Sequence, residues 1–184
     1  LEGLVMATRP GDLDAGAVLA LLRAGRSVDE VDRLLNRESG LLGLTGTPDM
    51  REVEERASTG DDACRLALAI YAHRVRKYVG AYAAVMVGVD AIVFTGGVGQ
   101  NSAGVRHRIA QRLEFLGAAL DEDANRDARV GQDVHVCDIS EPYARCRLLV
   151  AATDEEQAIA TAARKLVAGG YAVATQRTIP IAIS

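Results

Sequence analysis

The most constraining feature of the chain is residues 90–102, DAIVFTGGVGQNS, where a short apolar run leads directly into three glycines and then into a helix start. Glycine permits positive φ and lets other groups approach the backbone closely. Asn101 or Ser102 can cap the next helix, whose first N–H groups then favour an anion. The segment therefore predicts a strand, a loop and a helix that together bind phosphate. A corner in which the glycines only turn the chain is the competing interpretation.

Two familiar glycine motifs do not fit this segment. A Rossmann loop needs G-x-G-x-x-G, and Ser102 stands where the third glycine belongs. A Walker A loop needs Gly-Lys before Ser or Thr, and the lysines of the chain, Lys77 and Lys165, are far from the glycines. A nucleotide site in this chain must therefore use a different loop.

Composition limits the classes of function. A length of 184 residues with 49% hydrophobic and 4% aromatic residues predicts one globular domain with an aliphatic core. The net charge of −4 argues against a nucleic-acid partner, and the lack of a long apolar run argues against a membrane-spanning segment. Three cysteines without C-x-x-C spacing argue against a zinc site and a disulfide framework, so we expect a cytoplasmic protein. Because the chain starts at Leu1, we also expect it to be part of a longer protein.

The apolar patterns predict alternating helices and strands. Helices are expected at 13–24, 28–36, 49–57, 62–88, 103–116 and from about 153, and strands at 91–94, 134–138 and 147–151. Ser27 is expected to cap the second helix, Pro48 and Asp49 to open the third, and Asp61 or Asp62 to cap the fourth. Residues 39–46 are expected to form a structured loop and residues 121–133 to be irregular. On the long helix, Leu66 and Ile70 are predicted to lie on the buried side. The alternation predicts an α/β fold with a mostly parallel sheet, followed by an uninterpreted tail at 169–184.

Two charged residues beside predicted turns could take part in chemistry. Glu155 follows the last strand and could bind Mg²⁺, which takes one or two carboxylates beside substrate phosphates. Acidic residues in the first turn of a helix are also favoured by the helix dipole alone. Arg9 precedes Pro10, which favours extended backbone and could project the guanidinium into a cleft. A surface ion pair between Arg9 and Asp12 is the simpler interpretation.

Six segments in sequential order closely resemble the acetate kinase family. They are residues 1–12 (LEGLVMATRPGD), 40–44 (GLLGL), 49–51 (DMR), 94–102 (FTGGVGQNS), 113–117 (LEFLG) and 153–156 (TDEE). The resemblance covers about residues 1–168 and corresponds to the carboxy-terminal half of that family. The chain departs from the family's usual residues at Ala7, Pro10, Gln100 and Asp154.

The resemblance implies one lobe of an actin-like (ribonuclease H-like) ATPase fold, with a mixed, largely parallel sheet flanked by helices. It also implies transfer of the γ-phosphoryl group between ATP and acetate, giving ADP and acetyl phosphate, with Mg²⁺ as cofactor. Residues 1–168 would be the nucleotide-binding lobe and 169–184 a tail, with the amino-terminal lobe absent from this chain. A homodimer that associates through this lobe is implied as well.

Residue by residue, the resemblance assigns roles to six positions. Arg9 matches the arginine that stabilises the equatorial oxygens of the transferring group, and Glu155 matches the magnesium-associated glutamate. Four others match positions of the nucleotide pocket, which are Gly97 and Asn101 along its wall and Asp49 and Arg51 beside the adenosine. By local sequence alone, Asp49 and Arg51 also look like any helix start with a charge pair.

Three functional readings follow from the resemblance. The first is an acetate kinase whose other catalytic groups lie outside this stretch, so that the isolated chain binds nucleotide weakly without turnover. The second keeps the chemistry with propionate or butyrate as acceptor, because the pocket for the acid lies largely outside this stretch. The third is a non-catalytic truncated lobe that binds nucleotide or mediates dimerisation.

Overall fold

The fold is described from a computed structural model for residues 1–131 and 133–168, without the side chains of residues 155 and 156. The predicted tail at 169–184 lies outside the described residues. Leu1–Ala152 forms one compact unit, which contains every strand given below. The last helix belongs to a second unit and is described by itself.

The chain alternates helices with three short strands. The helices are α1 (Ala15–Arg23), α2 (Val28–Arg37), α3 (Gly40–Thr45), α4 (Met50–Ser58), α5 (Asp62–Val85), α6 (Gly96–Asn101), α7 (Ala103–Ala110), α8 (Glu122–Asp127) and α9 (Glu155–Ala168), with a 3₁₀ turn at Glu114–Leu116. The strands are β1 (Ala91–Phe94), β2 (Val136–Asp138) and β3 (Arg147–Ala151).

The three strands form one mixed sheet in the order β1-β3-β2. Strand β1 runs parallel to β3, with Phe94 opposite Val150, and β2 runs antiparallel to β3, with Cys137 opposite the same residue. The predicted α/β class is confirmed. The carboxyl end of β1, where α6 begins, is the kind of sheet edge at which ligands bind in α/β proteins.

The core lies between this sheet and helices α4, α5 and α7. Its members are mostly small and aliphatic, and the central ones are Val53, Cys64, Ala67, Leu68, Val105, Leu113, Ile139, Leu148 and Val150. The prediction that Leu66 lies on the buried side of α5 was wrong, because this side chain is 58% exposed. The face that carries Cys64, Leu68 and Ala72 packs inward instead.

Local capping signals placed three helices correctly. The Ser27 hydroxyl and Glu30 carboxylate form a capping box at α2, and the carboxylates of Asp49 and Asp61 cap α4 and α5. Each cap satisfies backbone N–H groups that have no partner inside the helix. The predicted starts of these helices are therefore confirmed.

Four predictions about the positions of helices and loops were wrong. Residues 40–45 form α3 rather than a loop, and the glycines of 96–101 lie in α6 rather than in a loop. The helix predicted to reach residue 116 ends as α7 at Ala110, two residues before Arg112 adopts a φ of 72°. Helix α8 occupies part of the stretch predicted to be irregular.

None of the helices within 1–131 and 133–168 is both long enough and apolar enough to span a bilayer.

Candidate functional site

A cavity of about 930 Å³ opens on the surface of the unit Leu1–Ala152. It is lined by residues 4–7, Leu41, residues 48–51, Glu54, Tyr71, residues 97–98 and residues 101–102. Its walls therefore come from four separate stretches of the chain, which are residues 4–7, 41–54, 71 and 97–102. Burial raises the pKa of the Tyr71 phenol, which lies in this cavity. The volume is in the range of pockets that bind small molecules and cofactors.

One wall of the cavity is helix α6. The backbone leaves β1 through Thr95 in an extended conformation and turns at Gly96, whose φ is 70°. A Cβ added to Gly97 would meet no atom within 4 Å, so no other group packs against the backbone on that side of Gly97. Within the helix, the Asn101 Nδ2 donates to the Gly97 carbonyl oxygen at 2.8 Å. Glycine makes α6 intrinsically weak, since each one costs about 1 kcal/mol relative to alanine in a helix interior.

A second wall is the start of helix α4. The Arg51 N–H and Nε donate to Asp49 Oδ1 at 2.9 and 3.0 Å, and Arg51 Nη2 donates to Oδ2. The side-chain hydrogen bond from Arg51 is the main reason that the pKa of Asp49 falls to about 2. The Arg51 side chain remains 90% exposed. Asp49 and Arg51 thus form a helix start with a charge pair, and both also line the cavity.

A hydrogen bond joins the two walls. The Ser102 hydroxyl donates to Glu54 Oε1 at 2.8 Å and accepts from the Val105 N–H at 2.9 Å. Ser102 therefore caps α7, as one of the two predicted alternatives had it. Gly104 makes room for the carboxylate, because a Cβ there would lie 2.6 Å from Glu54 Oε1. The start of α7 is thereby fixed against α4.

Arg9 lies on a turn next to the cavity. The Met6 N–H donates to the Arg9 carbonyl oxygen at 2.9 Å, and the carbonyls of Met6 and Ala7 accept from the Leu41 and Leu42 N–H groups of α3. Gly40 is required at this contact, since its φ is 63° and a Cβ would lie 2.2 Å from the Met6 oxygen. The first turn of α3 therefore holds the backbone of residues 6–9.

Asp12 does not pair with Arg9. Its Oδ1 accepts from the Gly3 N–H at 2.7 Å and from the Tyr78 hydroxyl at 2.8 Å, and its Oδ2 lies 3.1 Å from Arg74 Nη1. These contacts, led by the Gly3 hydrogen bond, lower the pKa of Asp12. The hydrogen bond to Asp12 raises the pKa of Tyr78 to about 12. The exposed Arg9 guanidinium makes no hydrogen bond or ion pair with the described residues.

The structure brings together four of the six candidate residues. Asp49, Arg51, Gly97 and Asn101 line the cavity, and Arg9 follows Met6 and Ala7, which also line it. The Glu155 side chain lies outside the described residues. The roles of all six stay predictions.

Sequence reasoning missed Glu54 and Tyr71 as lining residues. Glu54 lies one turn after Met50 on α4, so helical spacing from the Asp49 cap was the available signal. Nothing local marked Tyr71, which reaches the cavity through tertiary packing of α5. In residues 1–131 and 133–168, no group of three acidic, histidine or cysteine side chains is arranged to hold a metal ion.

Comparisons with known proteins agree with this architecture. The model of the acetokinase family matches residues 1–161. An acetate kinase from Micrococcus luteus is 50% identical over 171 residues, which make up 92% of this chain and 44% of that protein. The crystal structure of Porphyromonas gingivalis acetate kinase superposes with a TM-score of 0.81 at 39% identity, covering 90% of this chain and 41% of that one. A propionate kinase from Francisella tularensis superposes with a TM-score of 0.78 at 39% identity, covering 86% and 40%.

These relatives are much longer than the chain, which spans less than half of the length of each of them. Since the family model covers residues 1–161 and the α/β architecture superposes on solved acetate kinases, the chain belongs to the acetokinase family.

Proposed function

We propose that the chain is the nucleotide-binding lobe of an acetate kinase, which transfers a phosphoryl group between ATP and acetate and gives ADP and acetyl phosphate. The observation that carries the proposal is the shared cavity. The family resemblance assigns four residues to the nucleotide, which are Asp49, Arg51, Gly97 and Asn101. The first two are nearly 50 positions from the other two in sequence, and all four line the same cavity of about 930 Å³. The acetate kinase relatives support the same reaction.

In this proposal the chain acts mainly by positioning and by neutralising charge, as phosphoryl transfer requires. A carboxylate oxygen of acetate attacks the γ-phosphorus while the bond to the β-phosphate oxygen breaks and ADP leaves. The Arg9 guanidinium, which has no partner in the described part of the chain, is proposed to bind the equatorial oxygens of the transferring group. Its planar fork of N–H donors suits that charge.

The magnesium ion is proposed to arrive with the nucleotide. The described residues offer no cage of three ligands, and Mg²⁺ bound to phosphates needs only one or two protein carboxylates. Glu155, at the start of α9, is the carboxylate that we propose for it. When bound, the ion would neutralise phosphate charge.

The acceptor could also be a longer acid. The superposition on a propionate kinase favours this second candidate, with propionate or butyrate in place of acetate. Comparing rates with acetate, propionate and butyrate in the complete protein that contains this sequence distinguishes the two. We further propose a cytoplasmic homodimer, without a nucleic-acid or membrane partner.

The test is to measure ADP binding and acetyl phosphate formation with the purified 184-residue chain. We expect ADP to bind and turnover to be absent, because the chain spans less than half of its relatives. An Asp49→Ala variant should bind ADP more weakly than the unsubstituted chain. An Asp138→Ala variant, changed on strand β2 away from the cavity, should bind ADP with the affinity of the unsubstituted chain. Unchanged affinity in Asp49→Ala contradicts the placement of the nucleotide. Rapid turnover by the chain alone contradicts its proposed dependence on a further lobe.

A further inference from the structure

Helix α6 needs support from outside its own sequence. Three of its six residues are glycines, and its cap residue Thr95 makes no side-chain capping hydrogen bond. Short glycine-rich helices have little stability of their own. The backbone at Gly97 nevertheless has to keep one orientation if it is to form a cavity wall.

Arg106 on α7 supplies that support. Its Nη1 donates to the carbonyl oxygens of Gly99 and Gln100 at 2.9 and 2.8 Å, which lie near the carboxyl end of α6. On the other side, its Nε donates to Asn125 Oδ1 and its Nη2 to the Asn125 carbonyl oxygen, both at 2.7 Å. Asn125 is itself buried and donates from Nδ2 to the Ala103 carbonyl oxygen at 3.0 Å.

Within the described part of the chain, no carboxylate accepts a hydrogen bond from the Arg106 guanidinium. The residue is 1% exposed, and all four acceptors are neutral oxygens, with no ion pair to any described acidic group. Burial lowers the pKa of the Arg106 guanidinium, which nevertheless stays charged. A cation at the carboxyl end of a helix is favourable, because the last carbonyl groups carry partial negative charge. Two of the four hydrogen bonds therefore stabilise α6, and the other two join α7 to α8.

We infer that Arg106 is a positioning residue of the nucleotide cavity. Its guanidinium holds α6, and through α6 it fixes Gly97 and Asn101 in the orientation that the nucleotide requires. The inference rests on the proposed nucleotide site, and it adds a residue that does not itself line the cavity.

The experiment compares Arg106→Met with Arg147→Met in the 184-residue chain. Arg147 is a suitable control, because this half-buried arginine donates to Asp138 and to two backbone carbonyls away from the cavity. In Arg106→Met we expect amide hydrogen exchange of residues 97–101 to rise about tenfold with exchange of α4 unchanged, and the dissociation constant of ADP to rise about tenfold. Arg147→Met should change neither quantity.

Arg106→Lys separates positioning from charge. A lysine keeps the charge but cannot present the planar fork that reaches four acceptors, so it should share both defects. Normal ADP affinity in Arg106→Lys with a loosened α6 would overturn the inference. Unchanged exchange in α6 of Arg106→Met would overturn it as well.

Two further outcomes remain decisive. If Arg106→Met does not fold, Asn125→Ala is a milder variant that removes one acceptor, and the same increase in α6 exchange is expected. If the unsubstituted chain binds no ADP, the proposed function fails. The comparison of amide hydrogen exchange between Arg106→Met and Arg147→Met then still tests whether Arg106 stabilises α6.

Discussion

The charged side chains of Asp12, Asp49 and Arg9 differ in whether they already form a hydrogen bond or an ion pair with another residue. Asp12 is engaged by Gly3, Arg74 and Tyr78, and Asp49 is engaged by Arg51. The backbone of Arg9 belongs to a turn, residues 6–9, that hydrogen bonds join to helix α3. The Arg9 guanidinium, in contrast, makes no hydrogen bond or ion pair with the described residues. A rigid backbone that presents an unpaired cation is suited to binding an anionic substrate. This contrast supports the chemical role that we propose for Arg9 and indicates a structural role for Asp12.

The first prediction concerns Arg9→Ala. Because the side chain has no partner to lose, the free energy of unfolding should change by no more than about 0.5 kcal/mol. In the complete protein, the rate of phosphoryl transfer should fall by about two to three orders of magnitude, since a donor to the developing charge is removed. Arg23→Ala, an exposed arginine in the last turn of α1, is the control. A large loss of stability in Arg9→Ala would indicate a structural role instead.

The second prediction concerns pH and Asp12. Its pKa in the folded state is lowered from its usual 3.8, chiefly by the Gly3 N–H and next by the Tyr78 hydroxyl. A depressed folded pKa means that the ionised carboxylate stabilises the fold above pH 3.8, and that this contribution is lost as pH falls through the lowered value. Urea unfolding of Asp12→Asn and the unsubstituted chain should therefore differ most near neutral pH and converge on acidification. A constant difference across that range would contradict the assignment.

At the level of helices, the two ends of α3 offer a matched pair of glycines. Gly40 and Gly46 both have positive φ, but a Cβ on Gly40 would overlap the carbonyl oxygens of Met6 and Arg9, whereas one on Gly46 would meet nothing within 4 Å. Gly46→Ala should cost about 1–2 kcal/mol for its conformation alone. Gly40→Ala should cost about 1–3 kcal/mol more, because the Arg9 turn must move. Equal losses in urea unfolding would mean that α3 does not hold that turn.

A substitution in helix α6 can change the stability of the fold and the affinity for ADP in opposite directions. A Cβ on Gly97 would meet nothing within 4 Å, so Gly97→Ala should stabilise the fold by about 0.5 kcal/mol through helix propensity. The added methyl group would stand on the cavity wall, so ADP should bind at least about tenfold more weakly. Gly80→Ala, at an equally open position of α5, should stabilise the fold without changing ADP affinity. Equal ADP affinity in both variants would remove Gly97 from the site.

The sequence predicted those elements whose stability is local. Helices α2, α4 and α5 were placed by their caps, because a side chain and the N–H groups that it binds are close in sequence. Helices α3 and α6 were predicted as loops, because they are rich in glycine and their stabilising partners are residues 6–9 and Arg106. The candidate residues came from family resemblance. Glu54 was missed although helical spacing on α4 pointed to it, whereas Tyr71 was missed because only tertiary packing brings it to the cavity.

At the level of the whole molecule, the residues of the proposed nucleotide cavity and the proposed metal ligand belong to different units. Every lining residue falls between positions 4 and 102, inside Leu1–Ala152, whereas Glu155 starts the helix of the second unit. Base and ribose recognition should therefore be separable from magnesium binding. The dependence of ADP affinity on Mg²⁺ is therefore the informative quantity.

The last prediction uses that separation. Removing residues 153–184 leaves every residue that lines the cavity, so the affinity for ADP without Mg²⁺ should stay within about threefold. The increase in affinity that Mg²⁺ gives to the full chain should be lost, because the carboxylate proposed to share the ion is gone. Glu155→Gln, which keeps the helix and removes only the charge, should reproduce that loss, and Gln157→Glu, two residues along, should not. Isothermal titration with and without Mg²⁺ measures each affinity, and a Glu155→Gln chain that still responds fully to Mg²⁺ would place the metal ligand elsewhere.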